Sequence, residues 1–378
     1  MTYINVTIDD VQIYSVSIPL KSRIKMAGVS LDTADNVIIK IVGDNSLVGW
    51  GEASSAPTMT GEFVEGMVAA SKFLGTRIVG CNISRLQDIK DLLDTPLYSN
   101  EGAISAMEMA MLDLFSKSNN IPLIELFGGS KRQSARALYM IAGGTIEEEI
   151  SRAKAKQKEG FNAFKIKVGS NTAQFDITRC DSIRKALGKS AFISADANEG
   201  FELQEACEFA DKAKEAGIDF FEQPVPADDV SLIKEVASVS SVPLGADEGV
   251  HSLSDISELV SISAIKGCSL KTIKLGGMMA VMEAARHAHS LGLNINLAGK
   301  VAETSISGSA VSTLSCLVPN INWDVSITNQ YLDIDPVTKS LDIEKGNVCF
   351  LEGAGLGTEI DLEKLAPYVK SYFKCQKS

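Results

Sequence analysis

Four ionisable residues recur along the second half of this 378-residue chain at a nearly constant step. Asp196, Glu222, Asp247 and Lys271 lie 26, 25 and 24 residues apart. Each stands at or near the end of a short apolar run, and the pattern between runs changes to helical spacing. Leu203, Ala206, Cys207, Ala210, Ala213 and Ala216, for example, recur at that spacing and stop at Gly217. A step of this length is one strand plus one helix, so the four residues occupy equivalent positions on successive strands. Eight strand candidates follow the same rhythm, at 138–141, 164–168, 192–195, 220–222, 244–246, 269–273, 294–297 and 321–325. Eight βα units predict a parallel α/β barrel with helices outside and a site at the C-terminal strand ends. The helix of the eighth unit is degenerate.

The first part of the chain has a different grain. Alternating segments at 11–16, 36–41 and 47–50, the last after a Gly43-Asp44-Asn45 turn, read as a β-meander. Helical patterns follow at about 62–74 and 103–117, and a segment at 122–127 ends at Gly128-Gly129. Strands followed by helices suggest an α+β domain over residues 1–130. Residues 131–341 form the barrel, whose first helix starts at a Thr145/Glu148 capping box and runs to Gly160. The tail, about 342–378, contains Gly-rich turns and a short helix at 362–373, and is expected to return to the first domain.

Composition narrows the function. There are 48 acidic and 36 basic residues, for a net charge of −12, which gives no electrostatic footprint for nucleic acid or an anionic membrane. No apolar run reaches the ~18–20 residues a membrane span needs. The start, Met1-Thr2-Tyr3-Ile4-Asn5, lacks the basic and apolar regions of a secretory leader. Seven cysteines without a C-x-x-C pair argue against a disulfide framework and a zinc cluster. Cys375 is followed by Gln376 and Lys377, which is not a prenylation signal. A cytoplasmic globular enzyme or binding protein is expected.

The rim residues define the chemistry. Three carboxylates on adjacent strands repel one another unless a cation joins them. All-oxygen ligands favour Mg2+, with Mn2+ as the alternative. Lys165 and Lys167 alternate with Ile166, so both face the barrel interior. Burial and mutual repulsion are expected to lower their pKa values towards the working pH, which makes a lysine base. Lys271 stands four strands round, across the mouth. A cation on the substrate carboxylate acidifies the adjacent C–H bond by neutralising the enediolate formed on deprotonation. One lysine removes the proton, and the other returns one to the opposite face or stabilises an intermediate that cyclises or eliminates.

Lys165-Ile166-Lys167, Asp196-Ala197-Asn198, Glu222-Gln223-Pro224, Ala246-Asp247-Glu248 and Lys271 before Lys274-Leu275-Gly276-Gly277 together resemble the enolase superfamily. The likeness runs from Gly49-Trp50-Gly51-Glu52-Ala53 to the tail, and is to the mandelate racemase/muconate lactonizing enzyme family in its muconate lactonizing subgroup. The resemblance implies a capping domain over a modified (β/α)7β barrel. It implies metal ligation by Asp196, Glu222 and Asp247 and acid/base roles for Lys167 and Lys271. It also implies tuning by Lys165, supporting contacts from Asn198 and Glu248, and a nearby Glu303. The expected activity is that of a racemase, epimerase or cycloisomerase acting on a small-molecule carboxylate. A lyase, of dehydratase or o-succinylbenzoate synthase type, is the alternative through the same half-reaction. A homo-oligomer is expected by the same resemblance. No histidine follows strand seven, as the mandelate racemase branch would require; His287 and His289 point to different helix faces, and His251 is a loop residue.

Substrate choice is expected to lie in two capping loops, about 21–31 and 53–60. Val29 falls where dipeptide epimerases acting on Ala-Glu carry an arginine, and Asp324-Val325-Ser326 retains one acid of their Asp-x-Asp pair. Asp324 is thereby a candidate for an amine or ammonium, and Lys300 for a second anionic group.

Overall fold

The computed structural model describes residues 3–26, 28–94 and 97–375. Ala27 and the side chain of Met26, near the tip of the first capping segment, lie outside the described residues, as do the residues at either end on which the leader and prenylation readings rest. Strands Val6–Met26, Val29–Gly43 and Val48–Ser54 form an antiparallel meander. The capping segment expected as a loop at 21–31 is instead the far end of this ribbon. Register shifts between Pro19 and Ile24, then pairing resumes at Ile24–Leu31 and Lys25–Ser30. A proline lacks the amide donor that a continuous ladder needs, and the shift falls just after Pro19.

The tail departs from its expected helix. One helical turn, Leu362–Leu365, gives way to a 3-10 turn containing Pro367 and then to strand Val369–Cys375. Pro367 interrupts the helix, Val369, Tyr372 and Phe373 favour extended backbone, and the open edge of the first strand supplies partners, with Val11 opposite Cys375. The tail therefore joins the N-terminal sheet as its outer strand.

Helix Glu101–Ser118 crosses strand Val48–Ser54 at unusually close range. A Cβ at Gly51 would lie 1.9 Å from the Ala106 carbonyl oxygen, and one at Gly49 would lie 2.1 Å from that of Ala110. The helix is buried almost all round, and its carboxylates are bonded across elements. Asp113 accepts from Trp50 N and Leu356 N at 2.9 and 2.7 Å, and Glu108 from Met278 N.

The barrel strands, in order, are Tyr139–Ile141, Ala163–Lys167, Phe192–Asp196, Phe220–Glu222, Leu244–Ala246, Gly267–Leu270, Asn294–Ala298 and Val325–Ser326, all parallel to their neighbours. A bond from Leu138 N to Val325 O, 2.7 Å, brings strand eight against strand one. Strand six ends at Leu270, and Lys271 begins a one-turn helix, Thr272–Leu275. Strand eight starts later than expected because the residues before it close the barrel floor. Trp323 stacks on Phe220 at 3.9 Å and fills the space beside Gly245 and Gly267.

Gly51→Ala should lower stability by about 1–3 kcal/mol or more, because backbone, not a flexible side chain, blocks the new methyl. Gly66→Ala, on an exposed helical face with open space around it, should raise it by up to ~1 kcal/mol. Denaturant midpoints of the two variants check the opposite signs.

Candidate active site

At the C-terminal end of the barrel lies a cavity of about 220 Å³. Lys165 and Lys167 border it, while Ile166 between them is in the core. Lys165 Nζ stands 2.8 and 2.7 Å from the two oxygens of Glu222 and 3.5 Å from Asp196 Oδ2. Lys167 Nζ donates to Asp196 Oδ2 at 2.6 Å and to Asn198 Oδ1 at 2.5 Å. Across the mouth, Lys271 donates to Asp247 Oδ2. The fully buried Lys274 reaches Asp247 Oδ1 at 2.8 Å and donates to the Ser269 carbonyl at 3.0 Å.

The backbone holding these groups is bent out of ordinary conformations. Asn198, Glu199 and Gln223 have φ of +42°, +66° and +36°, in the left-handed region where side chains are disfavoured. Hydrogen bonds hold them there. Asn198 N donates to Asp196 Oδ1 at 3.0 Å, and its amide donates to Glu248 Oε1 at 2.9 Å. Glu199 accepts from Ala227 N at 2.7 Å. Gln223 Oε1 accepts from Asp247 N and Gly249 N at 2.9 and 3.2 Å, tying the end of strand four to that of strand five.

Charge compensation sets the titration of the site. Burial raises Asp196 and Asp247, but the ammoniums of Lys167 and Lys165 on the first, and of Lys271, Lys274 and Lys165 on the second, hold both below the usual carboxylate range. Glu222 is pushed up by burial and by the other two carboxylates, against Lys165. Burial would lower Lys165, as expected from sequence, and Lys271 likewise. The carboxylates beside them reverse the sign, and both lie above the ordinary lysine value. The expected mutual depression of Lys165 therefore gives way to three nearby negative charges. Glu248 is pushed up to about 7 by burial and by the Asp247 charge, and its Oε2 has no partner.

The three carboxylates do not meet at one point. Among the described residues no three carboxylate, imidazole or thiol groups converge closely enough to share an ion. Each is turned to an ammonium, the counter-charge available in this arrangement. By chemistry the donor set still fits a hard divalent cation: all three carboxylates are buried, they come from adjacent strands, and they offer only oxygen donors.

The other candidates divide. Val29 and Lys300 border the cavity with Asn198 and Glu248. Glu303 is buried beneath Gly299, where a Cβ would lie 2.6 Å from its Oε2. Burial and the Glu52 charge push its carboxyl up to about 8. Asp324 is a correction. It precedes strand eight and is not among the residues that line the cavity, and both of its oxygens bond the Arg136 guanidinium at 2.8 Å. The strand leads from it towards the cavity, and Ser326 is the residue that borders it. The histidines stand apart: His287 meets Ser257 Oγ at 2.7 Å, His289 meets Asn320 Nδ2 at 2.9 Å, and His251 contacts the Glu248 carbonyl at 2.9 Å.

Several contributors were not singled out from sequence. Ser269 Oγ donates to Glu222 Oε1 at 3.0 Å, and its spacing of two from Lys271 was the available signal. Met59, in the second capping loop, places its sulfur 3.5 Å from Lys271 Nζ. No local pattern marks that contact, since the two residues are 212 apart.

Residues 148–365 match the family model described as enolase C-terminal domain-like, and residues 8–128 match the N-terminal domain of mandelate racemase/muconate lactonizing enzymes. The chain is 27% identical over 361 residues to the chloromuconate cycloisomerase CbnB of Cupriavidus necator, covering 94% of this chain and 97% of that protein. It is 29% identical over 359 residues to the L-Ala-D/L-Glu epimerase of Clostridium acetobutylicum, covering 93% and 98%. In fold it is similar to the dipeptide epimerase of Cytophaga hutchinsonii, solved with Mg and the dipeptide D-Ala-L-Val. That match has a TM-score of 0.90 and 24% identity, over 98% of this chain and 100% of the other.

Removing one member of the buried Lys165–Glu222 pair should cost far more than removing both. Lys165→Met leaves a carboxylate without its ammonium, an expected loss of about 3–5 kcal/mol. The double variant Lys165→Met/Glu222→Gln should recover most of it. A double-mutant cycle by chemical denaturation measures the coupling.

Proposed function

Since the chain belongs to the mandelate racemase/muconate lactonizing enzyme family of the enolase superfamily, an enzyme family in which its relatives are isomerases, we propose that it moves a proton at the carbon next to a substrate carboxylate. The observation that carries this reading is the arrangement of two lysines about one cavity. Lys167 enters from strand two and Lys271 from the end of strand six, with the acids of strands three to five between them. Two such groups can address opposite faces of one carbon, which is what racemisation or epimerisation requires.

In this reading Lys167 and Lys271 are the acid/base pair. Lys271, held as an ammonium beside Asp247, is in the form that delivers a proton. Lys165 bonds Glu222 and neighbours Asp196, which fixes both carboxyl groups and favours their ionised forms. Asp196, Glu222 and Asp247 are the residues that would hold a divalent cation, Mg2+ in the dipeptide epimerase of similar fold. When bound, that cation would supply positive charge beside the substrate carboxylate and so lower the cost of carbanion formation. Asn198 orients Lys167 through its side-chain oxygen and Glu248 through its amide. Val29 and Met59, reaching over the mouth from the N-terminal sheet and the loop after it, shield the reacting carbon from water.

The relatives act as a cycloisomerase and an epimerase, and this reading favours an isomerase over a lyase. With the true substrate in D2O, the wild-type protein should place deuterium at the α-carbon of both enantiomers. Lys167→Ala and Lys271→Ala should each abolish interconversion, lowering kcat by about 10²–10⁴-fold, while each retains exchange from one enantiomer, a different one in each variant. Loss of exchange from the same enantiomer in both would refute the opposed arrangement. Chelation by EDTA should remove activity and added Mg2+ restore it, as followed by NMR.

A further inference from the structure

If the reacting carbon lies between Lys167 and Lys271 with its carboxylate towards strands three to five, the rest of the substrate is left the remaining arc of the mouth, strands seven, eight and one. That arc carries a third lysine. Lys300, in the loop after strand seven, borders the same cavity as Lys167 and Lys271. Lys165, Lys167, Lys271 and Lys274 each have a carboxylate within ion-pairing distance. Lys300 has none among the described residues. Burial and the neighbouring charges of Lys271 and Lys167, opposed in part by the carboxyls of Glu303 and Glu248, pull it down to about 8, so at neutral pH it is an ammonium.

The loop is fixed rather than loose. Thr328 Oγ1 donates to the Lys300 carbonyl at 2.8 Å and accepts from Glu303 N at 3.1 Å, binding the loop to the segment after strand eight. Glu303 is folded under Gly299 with a raised pKa; its carboxyl accepts from the Lys300 backbone amide and feels the ammonium's charge, but forms no ion pair with it. Asp324 is committed to Arg136 and does not line the cavity. The cavity wall on this arc, including Leu138, Met140, Ser326 and Thr328, contains no acid. An ammonium on the substrate at this arc would face the repulsion of Lys300 with no acid on the adjoining wall to hold it, whereas an anion would meet a charge that forms no ion pair among the described residues.

We propose that Lys300 receives a second anionic group of the substrate, so that this protein acts on dianionic carboxylates and discriminates against those with a free amine in that position. This rests on the proton-transfer reading of the site. Lys300 is here a specificity residue, with no part in moving the proton.

The test uses matched pairs that differ only in a terminal carboxylate or methyl group. These are N-glutaryl- against N-pentanoyl-L-alanine and N-succinyl- against N-butyryl-L-alanine. Calorimetric titration in Mg2+ should show the dianion binding the wild-type protein about 30-fold or more tightly than its methyl counterpart. Lys300→Met should lose that preference, and Lys300→Arg should keep most of it. For any compound that exchanges its α-proton, the substitution should fall on KM rather than kcat. The KM of the wild-type protein should rise as the pH passes about 8, where Lys300 loses its charge, and that of Lys300→Arg should stay level to higher pH. Equal binding of dianion and methyl analogue, or an undiminished preference in Lys300→Met, overturns the proposal whether or not the compounds turn over. Retained discrimination with no α-proton exchange of any substrate would overturn the proton-transfer reading alone.

Discussion

A charge taken out of water must find an opposite charge, and the mouth of this barrel is organised around that requirement. Asp196, Glu222, Asp247, Lys165, Lys271 and Lys274 are each less than a tenth exposed. None is tolerable alone, because an unpaired buried ion costs several kcal/mol. They coexist as interlocked pairs: Lys165 with Glu222 and Asp196, Lys167 with Asp196, and Lys271 and Lys274 with Asp247. The same pairing explains why Asp196 and Asp247 remain ionised despite full burial, and why two lysines in an apolar barrel are held above rather than below their ordinary range.

The N-terminal sheet and the barrel are joined by the same principle applied to backbone amides. Glu52, on strand Val48–Ser54, accepts from Thr304 N at 3.0 Å and Ser307 N at 3.2 Å, the free donors at the start of helix Ser305–Leu317. Glu108 does the same for Met278 N at the start of helix Met278–Ser290. A carboxylate at a helix N-terminus answers both the unsatisfied donors and the helix dipole. These contacts fix the sheet against the barrel helices that follow strands six and seven. They thereby fix where the ribbon bearing Val29 and the loop bearing Met59 meet the cavity.

Much of this was legible beforehand because it is periodic. The step of 24–26 residues marks the barrel units, and alternation puts Lys165 and Lys167 on one face. What escaped is what depends on non-local partners. Residues 369–375 extend rather than coil because the edge of a strand more than 350 residues earlier is open to them. Residues 321–324 read as part of a strand, yet Trp323 is needed to fill the floor beneath Gly245 and Gly267, so strand eight starts at Val325.

The pair Asp324 and Lys300 shows the same limit at the level of single side chains. Each is a lone charge near a strand end when read along the chain, and each was a candidate for touching substrate. Sequence supplies the residue type and its approximate height in the barrel, but not the counter-ion. The fold brings Arg136 to Asp324, and a bidentate guanidinium leaves that carboxylate nothing to offer a ligand. It brings no acid within ion-pairing distance of Lys300 among the described residues, and turns the nearest one, Glu303, under a glycine. Of two charges equally conspicuous in the sequence, Asp324 is neutralised within the fold and Lys300 has no ion pair among the described residues, which is why we assign a substrate anion to the second and no ligand to the first.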